Sequence, residues 1–118
     1  MLETKTVSEI INHLKSKDLS IKEVIEYYLN NIEKLNPKIN SIVSIKSKNK
    51  IIEEAEKKSN TKFCGLPIAV KDLSDVVGFY TTYGYPGTKN YSPSKNSLFV
   101  DKLLDCLLYT SDAADERR

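Results

Sequence analysis

Gly65-Leu66-Pro67-Ile68-Ala69-Val70-Lys71-Asp72 is the stretch on which the reading of this chain turns. A Gly-x-Pro breaker launches a short apolar run, and the run stops at a lysine followed at once by an acid. Four to eight apolar residues bounded by turn signals predict a buried strand. Ile68 and Val70 add the β-branched bias of strands. A lysine ending such a strand would hold its amine at the edge of the core, where its charge is easily perturbed. Any chemistry is therefore expected at Lys71.

Upstream, two amphipathic helices are expected. Thr6-Val7-Ser8-Glu9 has capping-box spacing, and Val7, Ile10, Ile11 and Leu14 then share one helical face. Asp18-Leu19-Ser20 interrupts that helix. Ser20-Ile21-Lys22-Glu23 is a second capping box, followed by the stripe Ile21, Val24, Ile25, Tyr28, Ile32 and Leu35. Pro37 is expected to close this helix, because the residue before a proline disfavours helical geometry. Ile39 to Ile45 alternates imperfectly and reads as a short extended segment. Residues 46–60 are rich in lysine and glutamate with the thin apolar stripe Ile51, Ile52 and Ala55, which predicts a helix with a solvated face rather than a functional basic patch.

Downstream, Asp75-Val76-Val77-Gly78 leads into a loop-rich tract from Phe79 to Ser97, punctuated by Gly84, Gly87, Pro86 and Pro93. Five of the ten aromatic residues fall between Phe79 and Tyr91. Rings beside lysines could stack on nucleotide bases, but Lys89 and Lys95 are too few for that, so the rings are expected to pack the loop onto the core. Asn96 is expected to cap a last helix carrying Leu98, Phe99, Leu103 and Leu104. No internal repeat and no linker divides the chain.

Composition narrows the class. A chain of 118 residues suits one small domain or a piece of a larger one, and 40% hydrophobic with 29% charged residues excludes wholesale disorder. A net charge of +2 does not argue for nucleic acid or an anionic membrane as partner. No apolar run approaches the roughly 20 residues of a membrane span, and the N-terminus has no signal core, so a cytoplasmic location is expected. Cys64 and Cys106 are expected to remain thiols. No His, Cys, Asp or Glu cluster has metal-ligand spacing and there is no glycine-rich phosphate loop, so neither metal nor cofactor is expected.

In order and spacing, Gly65 to Asp72, Gly78, and Thr81-Thr82-Tyr83-Gly84 resemble the amidase signature family of serine hydrolases. Leu19-Ser20 leading into Ile32-Glu33-x-Leu35-Asn36-Pro37-x-Ile39-Asn40 is similar to the helical lead-in of that family, and Ser97 to Leu104 to its later helix. The resemblance covers most of residues 5–105. It implies an α/β fold, the N-terminal piece of a mixed sheet wrapped by helices, with two amphipathic helices and then a core strand ending at Lys71. It further implies amide hydrolysis or transfer through a Ser-cisSer-Lys triad, of which Lys71 is the lysine. The Gly-Ser-Ser segment that bears both serines lies downstream of position 118 in such proteins. Ser74, Ser92, Ser94 and Ser97 have no comparable setting.

The chemistry suits a lysine. A serine hydroxyl is a poor nucleophile until a base takes its proton. Free lysine is mostly protonated at neutral pH, and burial brings its amine toward the working range. Ser-Lys pairs are a known variant of triad logic. Local sequence alone favours a plain surface lysine in a strand-to-loop turn; the family resemblance reverses that and favours the base. Asp72 is expected to accept hydrogen bonds from loop groups, Thr81 and Thr82 to hold the loop, and His13 to be an ordinary, partly exposed helical residue.

After Asp105 the chain reads Cys106-Leu107-Leu108-Tyr109-Thr110-Ser111-Asp112-Ala113-Ala114-Asp115-Glu116. This string resembles one reading frame of a sequencing-library transposase adapter rather than a protein motif. Residues 1–105 are therefore expected to be the truncated N-terminal part of an amidase domain, and 106–118 a non-native tail. Such a fragment is expected to be inactive and marginally stable.

Three functions compete. The first is a general amidase acting on a small carboxamide, toward which Leu73 and Asp75-Val76-Val77-Gly78 lean within the family pattern. The second is the glutaminase-type subunit of a tRNA-dependent amidotransferase, which releases ammonia from glutamine in a complex with other subunits and charged tRNA. Such subunits often have asparagine after the Lys-Asp pair. The third is a helical interaction module without chemistry, supported only by the two capped helices.

Overall fold

The computed structural model describes residues 2–106 and 109–114. After a 3-10 turn at Leu2–Thr4 come helices α1 (Val7–Ser16), α2 (Ile21–Ile39) and α3 (Lys48–Lys57), then strand β1 (Pro67–Lys71). A long loop with a 3-10 turn at Pro86–Thr88 follows, then α4 (Leu98–Cys106) and β2 (Tyr109–Ala114). The first two helices begin as their sequences predict. Thr6 and Ser20 accept the N–H groups of Glu9 and Glu23 at 3.1 Å each, and those glutamates reach back to the cap N–H groups at 2.8 and 2.9 Å.

Pro37 does not end α2. The helix runs on to Ile39, and because proline has no N–H, the Asn40 N–H donating to the Asn36 carbonyl at 2.7 Å closes the last turn. Asn40 then takes the left-handed conformation of a C-cap at φ 47°. Proline is tolerated there because its cost falls on a single carbonyl in a final turn already open to solvent. The segment after it is not the strand its alternation suggests. Only Ile42 makes a bridge, and the chain is held instead by Asn36, whose amide donates to the Ile42 carbonyl at 2.8 Å and accepts the Ile42 N–H at 2.9 Å.

Two apolar clusters form the core. Ile10, Ile21, Val24, Ile25, Ile51, Ile52, Ala55 and Leu66 pack α1, α2 and α3 against the lead-in to β1. Val70, Val76, Phe79 and Val100 pack the other end of β1 against the loop and α4. The stripe of α3 is therefore core, with Ile51 and Ala55 essentially inaccessible, while its lysines and glutamates face water. Lys48–Glu26 at 2.9 Å links α3 to α2, and Lys58 donates to the Leu104 carbonyl at 3.0 Å, linking it to α4.

Gly65 is what lets the strand start where it does. Its φ is +85°, and a Cβ there would lie 2.4 Å from the Ala55 carbonyl oxygen. Only glycine lets the chain pass so close to α3 in that conformation. β1 then alternates: Val70 is buried, and Ala69 and Lys71 are exposed. The strand is covered on one face, not buried on both as its apolar run predicts.

β2 pairs parallel to β1, with Pro67 opposite Tyr109, Lys71 opposite Ala114, and an irregularity between Ile68 and Ala69. Parallel neighbours require a crossover, and α4 lies within it. β2 lies in the stretch whose sequence reads as non-native; residues 107, 108 and 115–118 of that stretch are outside the described residues. At the start of α4 it is Ser97 that caps, accepting the Val100 N–H at 3.3 Å. Asn96 instead accepts the Val77 N–H at 2.7 Å and donates to Asp101 at 3.0 Å, tying the loop to the helix. No described helix is long and apolar enough to cross a membrane.

Candidate functional site

Lys71 is the last residue of β1, and its carbonyl accepts the Leu73 and Ser74 N–H groups at 2.7 and 3.1 Å, so the chain turns immediately after it. The alternation of the strand directs Lys71 outward. The burial expected from a strand-end lysine is therefore not supplied by the described residues, and Lys71 is exposed.

Asp72 is the opposite case. It is 4% exposed and organises the loop that returns past Lys71. One carboxylate oxygen accepts the Thr82 N–H at 2.8 Å, the other accepts the Thr82 hydroxyl, and the Asp72 carbonyl accepts the Tyr83 N–H at 3.0 Å. The Thr82 hydroxyl accepts in turn from the Gly84 N–H at 3.2 Å, and the Thr82 carbonyl accepts from the Tyr85 N–H at 2.9 Å and from the Thr88 hydroxyl. Thr81, 1% exposed, donates its N–H to the Tyr91 carbonyl at 2.9 Å. The expected roles of Asp72, Thr81 and Thr82 are thus observed as geometry: the loop is clipped to the residue next to Lys71.

The loop aromatics behave differently from expectation. Phe79 packs into the core, with the Lys46 ammonium 5.1 Å from its ring centre. Tyr80, Tyr83, Tyr85 and Tyr91 stay largely exposed. The loop is held by backbone and threonine hydrogen bonds, so its rings are not needed to anchor it. The Asp75 carboxylate raises the Tyr91 phenol above its ordinary value, with burial and the Tyr83 phenol adding to the effect. Asp75 Oδ1 is buried without a hydrogen-bond partner among the described residues.

His13 is half-buried at the end of α1 and pairs with Asp18 at 3.0 Å, an ordinary structural contact. Its hydrogen bond, with that of Ser16, holds Asp18 below the usual carboxylate range. Cys64 is a buried free thiol. Among the described residues no three His, Cys, Asp or Glu side chains converge as a metal-ligand set.

A family model described as Amidase matches residues 23–106. Among curated proteins, the glutamyl-tRNA(Gln) amidotransferase A-subunit of Thermoanaerobacter pseudethanolicus is 31% identical over 110 residues, covering 88% of this chain and 22% of that protein. The chain thus spans about a fifth of the length of the curated relatives it matches. Among solved structures, the 6-aminohexanoate cyclic dimer hydrolase superposes with a TM-score of 0.82 at 21% identity, over 93% of this chain and 23% of that one. An amidase family protein from Bacillus anthracis str. Ames superposes with a TM-score of 0.80 at 23% identity, over 94% of this chain and 24% of that one. At these identities the likeness to solved structures is one of fold.

Proposed function

Because this chain belongs to the amidase signature family and has the N-terminal part of its α/β fold, we propose that it is part of an amidase that hydrolyses a small-molecule carboxamide. In this reading Lys71 is the catalytic base. Its neutral amine takes the proton of a serine hydroxyl, the serine attacks the amide carbonyl, and the acyl-enzyme is released by water. Both serines of the Ser-cisSer-Lys triad belong to residues beyond these 118, so the isolated chain is inactive. The observation that carries the reading is the placement of Lys71 at the end of β1, in the motif Gly65 to Asp72, with a loop clipped to Asp72 beside it. In the complete domain, burial of Lys71 would come from segments laid over the exposed face of β1, lowering the cost of its neutral form.

A second reading is favoured by the sequence relatives, which carry the name of the glutamyl-tRNA(Gln) amidotransferase A-subunit. In that case the amide is that of glutamine, and the ammonia passes to a mischarged tRNA in a complex with partner subunits. One assay separates the two. The full-length protein is given a simple carboxamide alone, and separately glutamine with the partner subunits and glutamylated tRNA. Hydrolysis without partners supports the amidase. Transamidation that requires glutamine, tRNA and partners supports the second reading. Neither activity would return the chain to a helical interaction module.

The non-native character of residues 106–118 is part of the same proposal. The family match runs over residues 23–106 and so reaches only the first residue of that stretch. Reading the source DNA past Asp105 tests it: an in-frame continuation carrying a Gly-Ser-Ser segment is expected, and its absence would contradict the enzyme reading.

A further inference from the structure

The chain just after Lys71 is tied down twice over. The Lys71 carbonyl accepts the Leu73 and Ser74 N–H groups, bonds that a local turn supplies by itself. The other ties come from the loop that returns ten residues later. The Asp72 carboxylate accepts the Thr82 N–H at 2.8 Å and the Thr82 hydroxyl, and the Asp72 carbonyl accepts the Tyr83 N–H at 3.0 Å. Backbone N–H groups come with almost any residue; the hydroxyl and the carboxylate are what this sequence specifies. Closing the loop does not by itself call for that pair. Burying a carboxylate, here 4% exposed, costs more than burying an amide that makes the same two bonds. What the carboxylate adds is strength, since hydrogen bonds to an ionised acceptor are roughly twice as strong as neutral ones. A tie stiffer than loop closure needs, one residue from Lys71, points to a demand at Lys71.

A general base has that demand. The Lys71 amine ends a flexible four-carbon stem, so its reach is set by where the backbone holds the stem. β1 holds that backbone on one side, and the Asp72–Thr82 tie holds it on the other. A base works within about 3 Å of the proton it takes, and a misplacement of about 1 Å caused from a distance can cost a hundredfold in rate. We propose that Thr82 is a positioning residue for Lys71: its hydroxyl, through the Asp72 carboxylate, fixes the backbone from which the lysine side chain springs. The proposal rests on the amidase reading of Lys71 and adds to it a residue that acts through that backbone.

The test uses the full-length protein and phenylmethylsulfonyl fluoride, so the amide need not be known. The hydroxyl oxygen of an activated serine bonds to sulfur, fluoride leaves, and the base takes the proton. Intact-protein mass follows the adduct, and its dependence on reagent concentration separates the maximal rate from the binding constant. All variants are compared below their unfolding midpoints. Thr82→Val should lower the maximal rate about ten- to a hundredfold with the binding constant within about twofold. Thr82→Ser, which restores the hydroxyl, should stay within about threefold of wild type. Thr6→Ala destabilises by removing a helix cap instead and should label at the wild-type rate. An unchanged maximal rate in folded Thr82→Val, an equal loss in Thr82→Ser or Thr6→Ala, or a loss confined to binding would overturn the role of Thr82 and leave the amidase reading intact. Wild-type protein labelled no faster than Lys71→Ala would overturn the amidase reading, and this proposal with it.

Discussion

At Asp72 one buried carboxylate receives both the N–H and the hydroxyl of Thr82, while its own carbonyl receives the N–H of Tyr83. Those bonds fasten the long loop to the end of β1. Thr82→Val, which keeps the shape and removes the hydroxyl, leaves a buried carboxylate oxygen short of a donor. It should cost about 1–3 kcal/mol of stability in denaturant unfolding, whereas Thr82→Ser should cost less than about 1 kcal/mol. Equal losses in the two variants would show that the hydroxyl is not what holds the loop. Asp72 and Thr82 are legible in the sequence as loop-holding residues because short polar side chains at a strand end and in the loop after it readily hydrogen-bond loop backbone and neighbouring hydroxyls. The left-handed Tyr83, at φ 56°, is not legible: its N–H is fastened to the Asp72 carbonyl eleven residues away, and no local propensity announces it.

At the level of elements, legibility follows locality. Both capping boxes are readable because every atom involved lies within four residues. Pro37 and the segment after it depart from expectation because the Asn36 side chain overrides the alternation from Ile39 to Ile45, a contact no periodicity reveals. Ser97 rather than Asn96 caps α4 for a similar reason, since Asn96 is already engaged by Val77.

The capping boxes also set an acid sensitivity. Hydrogen bonds from the Thr6 N–H, and then from its side chain, hold the Glu9 carboxyl below its ordinary value of 4.5. A group depressed on folding contributes stability above its unfolded pKa and loses it as pH falls through the lower, folded one. Helical signal from α1 should therefore decline on acidification below 4.5, and Glu9→Gln, which keeps a capping side chain without a titrating group, should flatten that part of the decline. Circular dichroism across this range checks it; identical acid profiles for the two proteins would contradict the assignment.

For the whole molecule the telling feature is how much apolar surface the helices and loop leave uncovered. Leu98 and Phe99 on α4 are 73% and 59% exposed, and Ile39, Val7 and Leu73 are also more than half exposed. Exposed apolar side chains of this size favour association with other surfaces. The 118-residue chain alone is expected to melt over a broad range and to aggregate on concentration; a sharp, reversible calorimetric transition would contradict this. The two N-terminal helices and the strand at Gly65 to Asp72 are legible because their patterns are internal. The exposure of Lys71 is not, since the alternation that turns it outward from β1 shows only once the strand is placed against its neighbours.

Lys71 carries the central claim, and turnover by Lys71→Ala in the full-length protein tests it most directly. Lys71→Ala shortens one side chain at the end of β1 and leaves the strand itself intact, so the variant should keep its circular dichroism spectrum, and its unfolding midpoint, measured alongside, separates loss of chemistry from loss of fold. Its amide hydrolysis should fall by at least about a thousandfold, the scale of losing a general base together with the nucleophile it activates. A folded Lys71→Ala enzyme that retains a tenth or more of wild-type turnover would contradict the account.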